Sequence, residues 1–251
     1  MDRTPLAFDR IADRYDATRG GTERGLRIAD ELQPWLLPGR LLEVGVGTGV
    51  VAVALRDRGY EVTGVDLSPA MLAHAARRLG PGRLAIGDAR HLPVRDSSVS
   101  TVVFVYALHV LGDIDAALAE ATRVLRPGGR VAAVHGGAND DPTDIFEAVS
   151  SMAPLRGARI DIGPAVLAAA ARAGLQPVWQ GETAPVLARE TPRNFGDGIR
   201  RRTWSWLWNV DDADWQESVA PALARLEALP DPDRPREYRQ RHLLTVLSKS
   251  E

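Results

Sequence analysis

The stretch from Leu41 to Leu55 constrains the fold more than any other part of this 251-residue chain. A short apolar run, Leu41-Leu42-Glu43-Val44, meets three alternate glycines, Gly45, Gly47 and Gly49, and a longer apolar run begins at Val50. A strand enters a tight turn and a helix leaves it. Alternate glycines remove Cβ atoms from the turn, so the backbone can take positive φ and a ligand can lie against the peptide groups. The first N–H groups of the helix then point at that ligand. A dinucleotide fingerprint, G-x-G-x-x-G, needs its third glycine at position 50, which is Val50 here.

Strands and helices alternate on both sides of this turn. Phe8, Ile11, Ala12 and Tyr15 form the stripe of an amphipathic helix over Leu6 to Arg19, and a second helix is predicted from Glu23 to Trp35. Beyond the turn, a strand over Glu61 to Val65 ends at Asp66, and Ser68-Pro69 reads as the N-cap and first residue of a helix. The next strand runs to Gly87 and is followed by Asp88. Ser100 to Val105 is almost continuously apolar, as expected of a strand covered on both faces, and it ends at Tyr106. Asp113 caps a helix that Pro127-Gly128-Gly129 is expected to end. Further strands are predicted at Val131 to Val134, before His135, at Leu175 to Gln180 and at Glu237 to Leu247. The pattern specifies a doubly wound, mostly parallel α/β sheet of seven strands, Rossmann-like, with ligands outside the carboxyl ends of the strands. The expected organisation is a helical cover at 1–38, the α/β core at 39–188, an insertion at 189–236 and the last strand at 237–251.

Composition narrows the chemistry. With no cysteine, the chain has no disulfide, thiolate nucleophile or cysteine-ligated metal. Lys249 is its only lysine, which argues against Schiff-base catalysis. A formal net charge of -2 gives no global basic excess, so no nucleic-acid partner is expected. Residues 2–5 form no apolar leader and no run reaches transmembrane length, so a cytoplasmic location without membrane contact is the expectation.

The phrase Glu43-x-Gly45-x-Gly47-x-Gly49 resembles motif I of the class I S-adenosylmethionine-dependent methyltransferases. Phe8-Asp9-x-Ile11-Ala12-x-x-Tyr15-Asp16 resembles the N-terminal helix of their ubiquinone/menaquinone-biosynthesis type, and Gly87-Asp88-Ala89-x-x-Leu92-Pro93 and Arg123-Val124-Leu125-Arg126-Pro127-Gly128-Gly129 are similar to further phrases of that family. The resemblance covers about Phe8 to Val134. It implies S-adenosylmethionine as cofactor, S-adenosylhomocysteine as product, no metal, and a small organic acceptor methylated on oxygen, carbon or nitrogen. Tyr15 and Arg19 would lie by the cofactor's carboxylate, Glu43 and the three glycines by its amino-acid end, Asp66 with Leu67 by the ribose, Met71 beside ribose and adenine, Asp88 and Ala89 at the adenine, and Tyr106 against the cofactor. Four of these have a plainer reading beside them: Tyr15 and Met71 as packing, Asp66 as an exposed strand end, Asp88 as a turn cap.

His109 and His135 follow strand ends and are the candidate bases, or histidines held structurally by backbone hydrogen bonds. The segment from Arg189 to Arg236 holds four of the six tryptophans, including Trp204, Trp206 and Trp208, which either line a pocket for a flat acceptor or form the core of a small cap. Rival functions are an oxidoreductase using a nicotinamide cofactor, disfavoured by Val50, and a non-methylating enzyme on the same fold. Oligomeric state is not encoded in any pattern read here.

Overall fold

The computed structural model describes residues 4–156 and 163–251. In chain order they form α1 (Thr4–Arg19), α2 (Gly21–Leu32), β1 (Arg40–Val44), α3 (Val50–Arg56), β2 (Glu61–Asp66), α4 (Pro69–Leu79), β3 (Leu84–Ile86), β4 (Val99–Val105), α5 (Ile114–Val124) and β5 (Leu125–Asn139). There follow α6 (Asp144–Ala148), α7 (Gly163–Arg172), β6 (Leu175–Glu182), β7 (Val186–Glu190), α8 (Pro192–Arg200), the single turn α9 (Asp212–Asp214), α10 (Ala220–Glu227) and β8 (Arg236–Lys249). The sheet order is β3-β2-β1-β4-β5-β8-β6, with β7 paired to β8 outside that path. Strands β1 to β5 run parallel to one another, whereas β8 runs antiparallel to β6 and β7. The doubly wound Rossmann-like sheet expected from the sequence is therefore present, and β7 is a strand the alternation did not reveal.

Side-chain alternation explains why both faces are covered. Leu42, Val44, Val102 and Phe104 pack into one buried cluster with α5, while Leu41 and Val103 pack into another with α2 and α3. Ser68 caps α4 by accepting from the Met71 N–H at 3.1 Å, and Asp113 caps α5 by accepting from the Ala116 N–H at 2.9 Å. The C-terminal end of α5 is closed by the only lysine: Lys249 Nζ donates to the carbonyls of Thr122 and Leu125.

Pro127-Gly128-Gly129 does not lie beyond α5 as a separate stop. The helix ends at Val124, and the strand starts at Leu125. Val99 pairs with Leu125 but Thr101 pairs with Arg130, so the Pro-Gly-Gly phrase bulges out of the ladder. A proline without an N–H and Gly128 at φ +71 suit that bulge.

Gly25 brings α2 against the start of α3. A Cβ at this position would fall 2.5 Å from the Val50 carbonyl oxygen, inside any tolerable contact. Gly25→Ala is expected to lose about 2–3 kcal/mol of stability, measured by urea denaturation. A loss under about 0.5 kcal/mol would show that α2 can slide away freely.

The chain divides into two compact units. One comprises residues 4–136, the α7-β6 segment as far as Thr183, and Leu243–Glu251. The other takes in the residues from Gly137 to 156 and Ala184–His242, so the tryptophan-rich stretch shares its unit with α6 and the first part of β8. In this second unit Ile145, Met152, Ile199, Leu207, Val219 and Leu226 are the buried centre. Arginines of β8 face acids of the preceding loop and α6: Arg236 pairs with Asp144, Arg239 with Asp141 and Arg241 with Asp140.

Candidate functional site

The first unit carries a cleft at the carboxyl ends of β1, β2 and β4, of about 820 Å³ including its opening to solvent. Its floor is the glycine turn. The N–H groups of Gly45 and Val46 both donate to the Val65 carbonyl, which folds the turn back over β2. Gly49, at φ +80, lies against α4, where a Cβ would meet Ala75 at 3.1 Å; it does not line the cleft. Gly47, at φ +54, is different, because a Cβ there would meet nothing within 4 Å. The space over Gly47 is open, as a loop that carries a ligand on its backbone requires.

Two carboxylates reach this cleft from adjacent strands. Asp66, at the end of β2, accepts from the Gly47 N–H at 2.7 Å on one oxygen and from the Ser68 N–H at 2.9 Å on the other. Burial raises its pKa, and the backbone donors oppose that shift. Asp88, two residues beyond β3, is gripped by the Arg90 guanidinium, whose Nη2 lies 2.6 Å from Oδ2, and this pairing holds the carboxyl below its ordinary range. Leu67, Met71 and Ala89 line the cleft between the two acids, and Gly45 lines its floor with Gly47.

Charged and aromatic groups gather at the other end. Glu43 is 2% exposed, and its Oε2 is buried without a hydrogen-bond partner. Burial pushes its pKa up to about 8, the Asp66 charge adds to the shift, and Arg24 opposes it. The Arg24 guanidinium lies 4.3 Å from the centre of the Tyr106 ring, and its Nη1 donates to the Arg19 carbonyl. Tyr106 sits just past β4 at φ +50, a left-handed conformation costly for a tyrosine, and burial pushes its hydroxyl up to about 12. Tyr15 lines the cleft from α1 with Arg19 over its ring at 5.8 Å; burial lowers the Arg19 pKa. Glu43 and Arg19 stand outside the lining itself. A buried acceptor lacking a partner, with two guanidinium groups nearby, suits a ligand that carries an ammonium and a carboxylate on one carbon.

The structure thus brings together Tyr15, Gly45, Gly47, Asp66, Leu67, Met71, Asp88, Ala89 and Tyr106 around one cleft. It leaves both histidines outside the lining: His109 is exposed on the 3-10 turn Leu108–Val110, and His135 is buried in β5. Sequence reasoning missed Arg24, Arg90, Val110 and Leu111. Val110 and Leu111 belong to the phrase that follows Tyr106, whereas nothing in the sequence distinguishes Arg24 from the other arginines of the chain.

Trp204, Trp206 and Trp208 lie in the second unit, each half-buried. Trp204 packs on Phe195 at 4.9 Å between ring centres and stacks beside Trp206 at 6.3 Å, and both lie against the buried centre of that unit. Trp208 donates its indole N–H to the Arg202 carbonyl at 2.9 Å. Of the arginine run, Arg200 pairs with Asp197 and Glu227, and Arg202 donates to the carbonyls of Leu207 and Val210. Among the described residues no cluster of three or more histidine, aspartate or glutamate side chains could hold a metal ion, and no helix is long and apolar enough to cross a membrane.

Comparison with known proteins agrees with this geometry. Residues 42–133 match a family described as a methyltransferase domain. The chain is 37% identical over 139 residues to a ubiquinone/menaquinone biosynthesis C-methyltransferase of Paracoccus denitrificans, covering 49% of this chain and 55% of that protein. It is also 37% identical over 128 residues to a malonyl-acyl-carrier-protein O-methyltransferase of Serratia marcescens, covering 49% of this chain and 48% of that one. The matches thus span about half the length of these curated relatives. Among solved structures, the 4+2 cyclase SpnF superposes with a TM-score of 0.63 over 99% of this chain and 96% of that one, at 20% identity, a likeness of fold alone. Residues 42–133 are thus similar to a methyltransferase domain, and the α/β core resembles the class I S-adenosylmethionine-dependent methyltransferases of the ubiquinone/menaquinone type.

Proposed function

We propose that the protein binds S-adenosylmethionine in the cleft over Gly47 and methylates an oxygen, carbon or nitrogen of a small organic molecule, with S-adenosylhomocysteine as the product and no metal required. The observation that carries this reading is the joint placement of a bare peptide turn, Asp66 and Asp88 on one cleft, with the buried, unpartnered Glu43 oxygen two residues before that turn. When bound, S-adenosylmethionine supplies an activated methyl group on a sulfonium, so the protein needs mainly to align an acceptor and exclude water.

The residues divide that work by chemistry. Each Asp66 oxygen already accepts one backbone N–H and keeps a lone pair for a ribose hydroxyl. Asp88 and Ala89 suit the adenine edge, with Leu67 and Met71 supplying apolar contact. Glu43 suits the ammonium, and Arg19 and Arg24 the carboxylate. Phe8, Val110 and Leu111 give the cleft apolar walls that keep water from the reacting centre. Tyr106, held neutral by its raised pKa, can orient an acceptor through its hydroxyl but is no base near neutral pH. For an acceptor that loses a proton, His109 is the preferred base, because its turn also supplies Val110 to the cleft; His135, buried in β5, is the weaker choice. Trp204, Trp206 and Trp208 remain proposed acceptor contacts on their half-buried faces.

Calorimetric titration with S-adenosylmethionine, S-adenosylhomocysteine and NADH tests the cofactor reading, and methyl-labelled cofactor with a panel of phenols, acyl carboxylates and amines tests transfer. Saturable binding of the first two and label in an acceptor are expected. Preferential binding of NADH, or an acceptor transformed while the label stays on the cofactor, would overturn the proposal.

A further inference from the structure

We propose that Asp9 and Asp16 are positioning residues for the cofactor: seven residues apart on α1, they clamp this helix to the first turn of α4 and to the glycine turn, holding Phe8 and Tyr15 at the cleft. The assignment rests on the cofactor reading above.

The spacing places two different pairs on neighbouring stripes of α1. Phe8 and Tyr15 line the cleft with their ring centres 6.3 Å apart. One residue further on, Asp9 and Asp16 face the fold. Asp9 Oδ1 accepts from Ser68 Oγ at 2.5 Å and from the Ala70 N–H at 3.2 Å, so a carboxylate sits at the start of α4, where unpaired N–H groups favour negative charge. Ser68 does more than cap that helix. Its Oγ accepts from Met71 while its N–H donates to Asp66, so it stands between the carboxylate of α1 and the one assigned to the ribose.

Asp16 makes the equivalent link to the glycine turn. It accepts from Thr48 Oγ1 on one oxygen and from Arg78 Nη2 on the other, and Arg78 Nη1 donates to the Thr48 carbonyl at 2.7 Å. Thr48 is 2% exposed and adjoins Gly47, so losing Asp16 would strand a buried hydroxyl beside the turn. Asp13, on the same face between them, meets His74 at 2.9 Å with a side chain 95% exposed, and serves as a surface pair for comparison. In this assignment a ligand that leaves past Phe8 and Tyr15 needs α1 to lift, and lifting α1 breaks both clamps.

Stopped-flow measurement of S-adenosylhomocysteine binding, read through the intrinsic tryptophans, tests the assignment. Asp9→Asn and Asp16→Asn are each expected to raise the dissociation rate about 5- to 20-fold, with the association rate unchanged or faster. Asp13→Asn should stay within about twofold. Ser68→Ala combined with Asp9→Asn should give less than the product of the single effects, since both remove the same link. Amide exchange along α1 should quicken in the two clamp variants while that of β1 and β4 is unchanged. Dissociation rates equal to that of Asp13→Asn, or slower association with unchanged dissociation, would overturn the assignment alone. Failure of the wild-type protein to bind S-adenosylhomocysteine would overturn the cofactor reading and this assignment with it.

Discussion

Asp66→Ala is expected to lower affinity for S-adenosylhomocysteine by about a hundredfold to ten-thousandfold, since two hydrogen bonds to a charged acceptor are each worth about 1.5–3 kcal/mol. The side chain has two duties. It holds the Gly47 and Ser68 N–H groups, and it keeps free lone pairs toward the cleft. Asp66→Asn separates them: the amide keeps the shape and one acceptor, but its NH2 would confront either the Gly47 or the Ser68 donor. An intermediate loss is therefore expected for asparagine, with thermal stability close to that of the wild type. Calorimetry on both variants decides the point, and a loss below about fivefold for alanine would mean that this carboxylate does not meet the ligand.

Glu43→Gln is expected to stabilise the ligand-free protein while weakening it as a cofactor binder. The carboxyl has an ordinary pKa of 4.5 and is pushed up to about 8 by burial in the folded chain. Between those values the folded state holds a proton that the unfolded state has lost, so stability falls as pH rises from 4.5 to about 8 and is level above it. The cost approaches about 5 kcal/mol as an upper bound. Glutamine carries no such charge, so at pH 8 its melting temperature should exceed the wild-type value by roughly 5 °C or more, and the difference should shrink toward pH 5.

Ligand binding should show the converse. An ammonium placed at Glu43 Oε2 favours the carboxylate, so wild-type affinity should rise by up to tenfold per pH unit below about 8. It should peak near there and fall at higher pH, as the ligand's own α-amino group, with a pKa of about 7.7–8.0, loses its proton. Glu43→Gln should bind more weakly and lack the rise. A wild-type affinity that does not change between pH 6 and 8, in roughly the range where glutamate would titrate here, would remove Glu43 from the ligand site.

The parts of this molecule that were legible in the sequence are those decided by a few adjacent residues. Glycines at Gly45, Gly47 and Gly49 permit one kind of turn, Ser68-Pro69 and Asp113 cap the helices they precede, and the apolar run before Tyr106 demands a strand covered on both faces. Carboxylates that end β2 and follow β3 then share the carboxyl edge of the sheet, because parallel strands place their ends side by side. Local chemistry thus determined the α/β order, the helix starts and most of the cleft lining.

What depended on distant partners stayed hidden. Arg24 looks like any surface arginine until α2 packs it on Tyr106, and the pKa of Glu43 is a property of its burial rather than of its neighbours in the chain. The clamps join residues 59 and 32 positions apart, Asp9 with Ser68 and Asp16 with Thr48. Pro127-Gly128-Gly129 could end a helix or bulge a strand, and only the ladder between β4 and β5 chose. Strand β7, with a weak pattern of its own, exists because β8 offers it an edge. Turn and cap preferences act over a few bonds and are written in the residues themselves, while burial and long-range pairing exist only once the chain has closed on itself.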